Sequence, residues 1–272
     1  MAGHSTALCW WGAVAQALLI WLASSAPAPS SCDSWAKSGE CLNNPAFMWA
    51  ECGAACRGLG LRDPLAEVDE KARAGASPSS QVLELSFGRN AHFAPLRIVL
   101  RPDLSPKTVA AVVAAVGRGT AAAATFYRNE AVPREPPGQC GDILCGPYSL
   151  IQGRLPGLAG TPTEAMPIVR RGYVARIQHS DDFFIALADH EEWGHSFTVW
   201  GELHDDAGMA TLEAIARLPY REQKAAGAST IMRLLRDELE TSAAIVSQRV
   251  GPDSREPSGT AEAETRMLNT EL

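Results

Sequence analysis

Beyond residue 80 the apolar side chains come in short runs, and the runs predict strands. Residues 82–87 (VLELSF) and Leu96–Leu100 are partly alternating runs broken by Asn90, Ala91 and His92, which predicts a hairpin. Further strands are predicted at 125–130 (TFYRNE), 148–153 (YSLIQG) and 171–177 (RGYVARI). Residues 183–187 (FFIAL) lack alternation, as in a strand covered on both sides. After a charged turn at Asp189, His190, Glu191 and Glu192 the chain returns as 196–200 (SFTVW), and the two runs predict antiparallel strands. Helical spacing marks 108–116, with Ser105 as N-cap candidate, Pro106 at the first helical position and a stop at Gly117 and Gly119. It marks 209–218 again, stopped by Pro219. Residues 228–249 predict a helix and then a last strand at 243–246. Pro, Gly and Ser mark loops at 131–147 and 154–170, and a linker at 59–80 with one helical turn between 64 and 74. Residues 250–272 have a disordered composition.

Composition narrows the function classes. The 272 residues are 46% hydrophobic and 20% charged, enough for one medium domain with appendages or for two domains. A net charge of −7 lacks the basic face that nucleic-acid binding needs. His190, Glu191 and His195 do not make a zinc-protease helix, because the histidines are five apart where that motif needs four. His179, Ser180 and Asp181 are consecutive and cannot form the hydrogen-bond relay of a triad.

The N-terminus sets the compartment. Residues 7–23 are uncharged and largely apolar, and small residues follow. This reads as a secretory signal peptide cleaved near 23–28. An uncleaved signal anchor, giving a type II membrane protein, is the alternative, since the run is long and its leading positive region is missing. A buried soluble helix is the third reading. Either of the first two places the rest of the chain in the secretory lumen or outside the cell. Four of the seven cysteines fall between 32 and 56, which in that setting reads as a disulfide framework. Four cysteines allow three pairings, and sequence alone does not choose. Cys140 and Cys145 are close enough to close the 131–147 loop by a local disulfide.

Two resemblances sharpen this. The segment 32–58 carries Trp35, Gly39, Glu40 and Cys41, then Asn44, Pro45, Phe47, Met48, Cys52 and Cys56. It resembles the sea-anemone-toxin (ShK) type module. That family has six cysteines paired first–sixth, second–fourth and third–fifth, and this chain lacks the first and the sixth. The resemblance therefore implies Cys32–Cys52 and Cys41–Cys56. Channel blocking by some members uses a basic, Lys-centred face, and this segment offers only Lys37 and Arg57, so a spacer or interaction role is expected.

The stretch 183–201 has Phe183, Phe184 and Ile185, then Glu192 and Trp193, then Val199, Trp200 and Gly201. Pro106, Lys107 and Thr108 precede it, as do Phe126 and Arg128, and Leu150, Gln152 and Gly153. In this order the motifs resemble the cyclophilins, peptidyl-prolyl cis/trans isomerases, over about 82–220. The resemblance implies a closed eight-stranded antiparallel barrel capped by two helices. It implies that Arg128 is catalytic, that Gln152 bonds a substrate carbonyl, and that Leu150, Phe184 and Phe197 form an apolar cup for proline. Trp193 matches the groove-edge residue associated with cyclosporin-class ligands, and Gln178 the position whose backbone holds the substrate. Two departures stand beside the groove: Ser149 replaces a phenylalanine, and the glycine-rich loop after 178 is cut to His179, Ser180, Asp181 and Asp182.

The expected organisation is a signal peptide or anchor at 1–28, a Cys-rich module at 30–58, a linker at 59–80, a cyclophilin-like domain at 81–250 and a tail at 251–272. The expected activity is prolyl isomerisation in extended or unfolded clients, without cofactor or metal, since no bond is broken. A non-catalytic peptide-binding scaffold on the same fold is the alternative. A third reading makes the Cys-rich module the functional part and the barrel its carrier. Membrane contact is expected only through an uncleaved anchor.

Overall fold

The computed structural model describes residues 29–77, 81–117, 124–134, 139–140, 143–144, 146–203, 205–224 and 231–247. The signal or anchor segment, the C-terminal tail and Cys145, hence the expected Cys140–Cys145 bridge, lie outside the described residues. Among the described residues no helix is long and apolar enough to cross a membrane. The chain divides into two compact units at Asp63 and Pro64.

Among its described residues the smaller unit winds four short helices, α1 (Pro29–Lys37), α2 (Glu40–Asn43), α3 (Pro45–Glu51) and α4 (Gly53–Gly58). Gly39 makes the turn between the first two at φ 91°, a left-handed conformation that glycine adopts without cost from a Cβ. Disulfides join Cys32 to Cys52 and Cys41 to Cys56, the two pairs that the ShK resemblance implies. All four cysteines are buried with Met48 and Ala36. Loops of 15–20 residues closed in this way contribute on the order of 3 kcal/mol each. That supplies what so small an apolar core cannot.

In the larger unit the order is α5 (Pro64–Arg73), β1 (Gln81–Ser86), β2 (Leu96–Leu100), α6 (Pro106–Gly117), β3 (Thr125–Glu130), β4 (Gln139–Cys140), β5 (Ile143–Leu144) and β6 (Leu150–Arg154). There follow β7 (Tyr173–Arg176), β8 (Asp182–Ala186), β9 (Thr198–Glu202), α7 (Asp206–Ile215), β10 (Tyr220–Lys224), β11 (Ile231–Glu240) and β12 (Ser242–Ser247). Ten strands form one antiparallel sheet in the order β10-β11-β3-β6-β8-β7-β9-β2-β1-β12, with β4 and β5 paired separately. The hairpin expected at 82–100 is the β1–β2 pair.

The ladder differs from the expected closed barrel of eight: it runs through ten strands and has two ends. One continuous stretch serves both flanks, β11 pairing with β3 and β12 with β1, with only Thr241 between them. The sheet therefore curls until its flanks lie one residue apart. Thr241 is buried there, its N–H and Oγ1 both donating to the Ala124 carbonyl at 3.0 and 2.8 Å. The helix expected within 228–249 is strand β11. Leu235 and Leu239, both buried, are four apart, a spacing that keeps one face in a helix and in a strand alike. β8 and β9 are not antiparallel partners. β7 lies between them and pairs antiparallel with both, so they run parallel to each other.

Inside the curl the main core stacks aromatic rings. Phe183 meets Phe126 and Trp200 edge-on at 5.6 and 5.9 Å, and Phe126 stacks on Phe87 at 6.0 Å. Val109 and Val112 of α6 and Met209, Leu212 and Ile215 of α7 pack into the same core. Gly201 permits the close approach of β2, since a Cβ there would lie 2.6 Å from Ile98 Cγ2. Ser105 holds the N-cap position of α6, its carbonyl accepting from the Val109 N–H at 2.9 Å, but its side chain does not cap the helix. Its hydroxyl donates to the Val199 carbonyl at 2.7 Å, and the Glu164 carboxylate takes the N–H groups of Lys107 and Thr108 at 2.9 and 2.7 Å. One carboxylate satisfies two orphan donors and opposes the helix dipole, which a hydroxyl cannot match.

The segment expected as a linker carries α5, ten residues long, within the larger unit. A fully buried guanidinium fastens it. Arg101 Nε and Nη2 donate to Asp103 at 2.9 Å each, Nη1 to Glu202 at 2.8 Å, and Nη1 and Nη2 to the Ala72 and Lys71 carbonyls at 3.0 and 2.9 Å. All five N–H groups are used, and two of them satisfy the C-terminal carbonyls of α5. Burial works against the Asp103 carboxylate, but the Arg101 hydrogen bonds and charge outweigh it and hold its pKa below the ordinary value. That contribution is present above the unfolded pKa of about 3.9 and is lost as pH falls through the lower folded value. In urea unfolding, Arg101→Ala is expected to lose about 3–5 kcal/mol, because it removes the guanidinium that pairs with the buried Glu202 carboxylate and with Asp103. Asp103→Asn is expected to flatten the acid limb of the stability–pH curve. An Arg101→Ala protein as stable as wild type would remove the clasp from the account of α5.

Candidate functional site

Strand register sets one row of side chains. Arg128 of β3 faces Gln152 of β6, Gln152 faces Phe184 of β8, and Phe184 faces Ala175 of β7. Directly opposed residues share a side of a sheet. The neighbouring residues Ile151, Ile185 and Val174 point the other way, into the main core. Leu150, two residues from Gln152 on β6, lies on the same side as the row and joins Phe184, Ala175 and Val199 in a second apolar cluster.

A β-bulge adds to one end of the row. Phe126 faces Gly153 and Arg128 faces Gln152, so Tyr127 and Arg128 together stand against one residue of β6. Gln152 is thereby held from two sides. Its Oε1 accepts from Arg128 Nη1 at 2.9 Å, and its Nε2 donates to the Tyr127 hydroxyl. Burial, then the neighbouring Asp182 carboxylate, pushes the Tyr127 phenol up to about 12, so it stays protonated across the physiological range. Arg154 lies over the same ring at 5.2 Å. Arg128 is held on its other flank as well: Nε donates to Glu130 Oε1 at 2.6 Å, and the Tyr148 ring lies 5.5 Å from the guanidinium carbon.

The other end is aromatic. Phe184 has only 1% of its surface exposed and lies under two edge-on rings, Phe197 at 5.0 Å and Trp193 at 5.5 Å. Trp193 and Phe197 meet each other at 5.4 Å. Behind Trp193 the His190 ring stacks face to face at 3.6 Å, with Nδ1 2.8 Å from Glu192. The turn that carries them is tied down by Arg170, which bonds Asp189 and Glu191 at 3.1 and 2.9 Å. The Arg171 backbone N–H, followed by Arg170, holds the Asp189 carboxyl below its usual pKa despite partial burial.

Arg128, Gln152, Leu150, Phe184, Trp193 and Phe197 therefore come together from segments spread over 128–197. The Gln178 side chain has partners outside the row. Its amide donates to the Ser196 carbonyl at 3.3 Å and touches Met166 Sδ at 3.8 Å, tying the 154–170 loop to the approach to β9. His195 Nδ1 serves the same loop through the Met166 carbonyl at 2.6 Å. Among the described residues no group of three or more His, Cys, Asp or Glu is placed to hold a metal ion. Glu130 and Tyr127 escaped the sequence reading. Glu130 had a signal, since residues two apart on a strand share a face and an arginine in a strand commonly pairs with an acid. Tyr127 had none, because the bulge that turns it toward Gln152 depends on the partner strand.

No protein-family model matches this chain, and no curated protein matches it. Among solved structures it is similar to a cyclophilin-type peptidyl-prolyl cis-trans isomerase of Cryptosporidium parvum, 16% identical with a TM-score of 0.37, over 59% of this chain and 97% of that one. The structure of that type from the same organism in the presence of the dipeptide Ala-Pro gives 16% and 0.37 over 58% and 97%. Cyclophilin AquaCyp293 from Hirschia baltica gives 13% and 0.37 over 65% and 77%. Superposition this partial carries no argument about chemistry, which falls to the row itself.

In a spectrophotometric alkaline titration, Tyr127→Phe is expected to remove a tyrosinate step near 12 while leaving the earlier steps in place. Loss of an earlier step instead would mean that Tyr127 is not the enclosed phenol beside Asp182.

Proposed function

We propose that this chain is a cyclophilin-type peptidyl-prolyl cis/trans isomerase acting on extended X-Pro segments. The observation that carries the reading is the row that sets a guanidinium, an amide and an aromatic cup side by side across three strands. Rotation about an X-Pro bond crosses a barrier of about 18–20 kcal/mol and takes about 10–100 s unaided. No bond breaks, so the protein has only to bind the twisted amide more tightly than the planar one. As the bond twists, the prolyl nitrogen loses resonance and becomes a better acceptor. Arg128 Nη2, which no described residue engages, donates to it there. Gln152 steadies Arg128 and holds a substrate carbonyl through its remaining amide hydrogen. The pyrrolidine ring packs on Leu150 and on the edges of Phe197 and Trp193 above Phe184, and Trp193 is the ring against which a cyclosporin-class ligand rests.

The paired cysteines of the smaller unit favour an oxidising compartment, so the clients are chains folding in the secretory lumen or outside the cell. A second reading, a peptide-binding scaffold without turnover, is favoured by the depth of Phe184 and by Ser149, which stands buried where the cyclophilin resemblance has an aromatic.

The full chain is expected to accelerate isomerisation of a short X-Pro peptide. Arg128→Ala is expected to lower kcat/KM by about 10²–10³-fold, the loss of one preorganised donor. A folded wild-type chain that binds the peptide without accelerating it would favour the scaffold, and one that does neither would sink both readings.

A further inference from the structure

Arg128 carries a partner that the reaction does not require. Glu130 stands two residues along β3 on the same side, and its side chain has no exposed surface. Its Oε1 takes the Arg128 Nε hydrogen at 2.6 Å, and its Oε2 takes the Tyr148 backbone N–H at 2.7 Å. Gly146 closes the site from the far side: a Cβ there would lie 3.0 Å from Oε2. The carboxylate is thus anchored at Oε2 by the backbone, which leaves Oε1 aimed at the Arg128 Nε hydrogen. Gln152 holds Nη1 from the opposite flank. A guanidinium is planar, so a bond at Nε and a bond at Nη1 together fix both the plane and the direction in which Nη2 points. A carboxylate enclosed in this way costs desolvation, which only a charge-assisted bond to its partner offsets.

We infer that Glu130 is a positioning residue for prolyl isomerisation, aligning Arg128 so that Nη2 meets the nitrogen of the twisted amide. The inference rests on the isomerase reading. Glu130 itself touches no substrate and acts through Arg128 alone. Misalignment of Nη2 weakens a bond made in the transition state more than anything made to the planar substrate, so its loss belongs in kcat and not in KM.

The test is a double-mutant cycle on the full chain with a short X-Pro peptide. Glu130→Ala is expected to lower kcat at least tenfold with KM within twofold. Glu130→Gln, which keeps an acceptor for Nε, is expected to recover most of that loss. In the Arg128→Ala background neither change at Glu130 is expected to lower kcat further, because the residue has then nothing to align. An equal loss with and without Arg128 would make Glu130 merely structural and overturn the inference while the isomerase reading stood. An inactive wild type would end both. If Glu130→Ala fails to fold, the Arg128 Nε proton decides: slow solvent exchange by NMR in wild type and faster exchange in Glu130→Gln support the alignment, and rapid exchange in wild type overturns it.

Discussion

Strand β8 places two adjacent phenylalanines on opposite sides of one sheet, and both the core and the site depend on that division. Phe183 goes inward to Phe126 and Trp200, and Phe184 goes outward to Trp193 and Phe197. The pleat allows no other outcome: a one-residue slip would send each ring to the wrong side and empty both clusters together. Because β6 and β7 flank β8, the same register also selects which residues of those strands stand beside Phe184. Gln152 and Ala175 do, while Ile151 and Val174 are turned away.

Two arginines, Arg101 buried and Arg128 half-buried, show how one residue type serves opposite ends. Arg101 has all five donors engaged, with two acids and two helix-end carbonyls, and leaves nothing for a ligand. It fastens α5. Arg128 is engaged at Nε and Nη1, and Nη2 keeps no partner among the described residues. Full satisfaction makes a rigid structural joint, and partial satisfaction in a fixed geometry makes a donor ready for something else. Residue type cannot separate the two, and neither can burial, since both heads are largely enclosed.

Much of the strand pattern was legible before the structure. The runs around 82–87, 96–100, 125–130 and 183–187 became strands within a residue or two, because apolar alternation and its absence report directly on which faces are covered. The grouping of Arg128, Gln152, Leu150 and Phe184 was legible only through motifs: the residues lie in separate strands, and a resemblance spanning those strands joins them. Contacts over long separations were not legible. Glu164 caps α6 from another loop, Arg101 reaches α5, and β7 enters between β8 and β9. Nothing local marks any of these.

Composition and pattern settled that this chain builds a sheet with two core helices, following a cysteine-rich module in sequence, since periodicity, Pro and Gly placement and cysteine spacing act over a few residues. Tertiary packing settled the rest. It made β11 a strand although a spacing of four suits either period, because an unpaired flank of the sheet needed a partner. It bulged β3 and so set Tyr127 beside Gln152. It enclosed Glu130 against Arg128 and the Tyr148 backbone N–H. Each of these outcomes depends on free energy shared between distant segments, which no window of sequence contains.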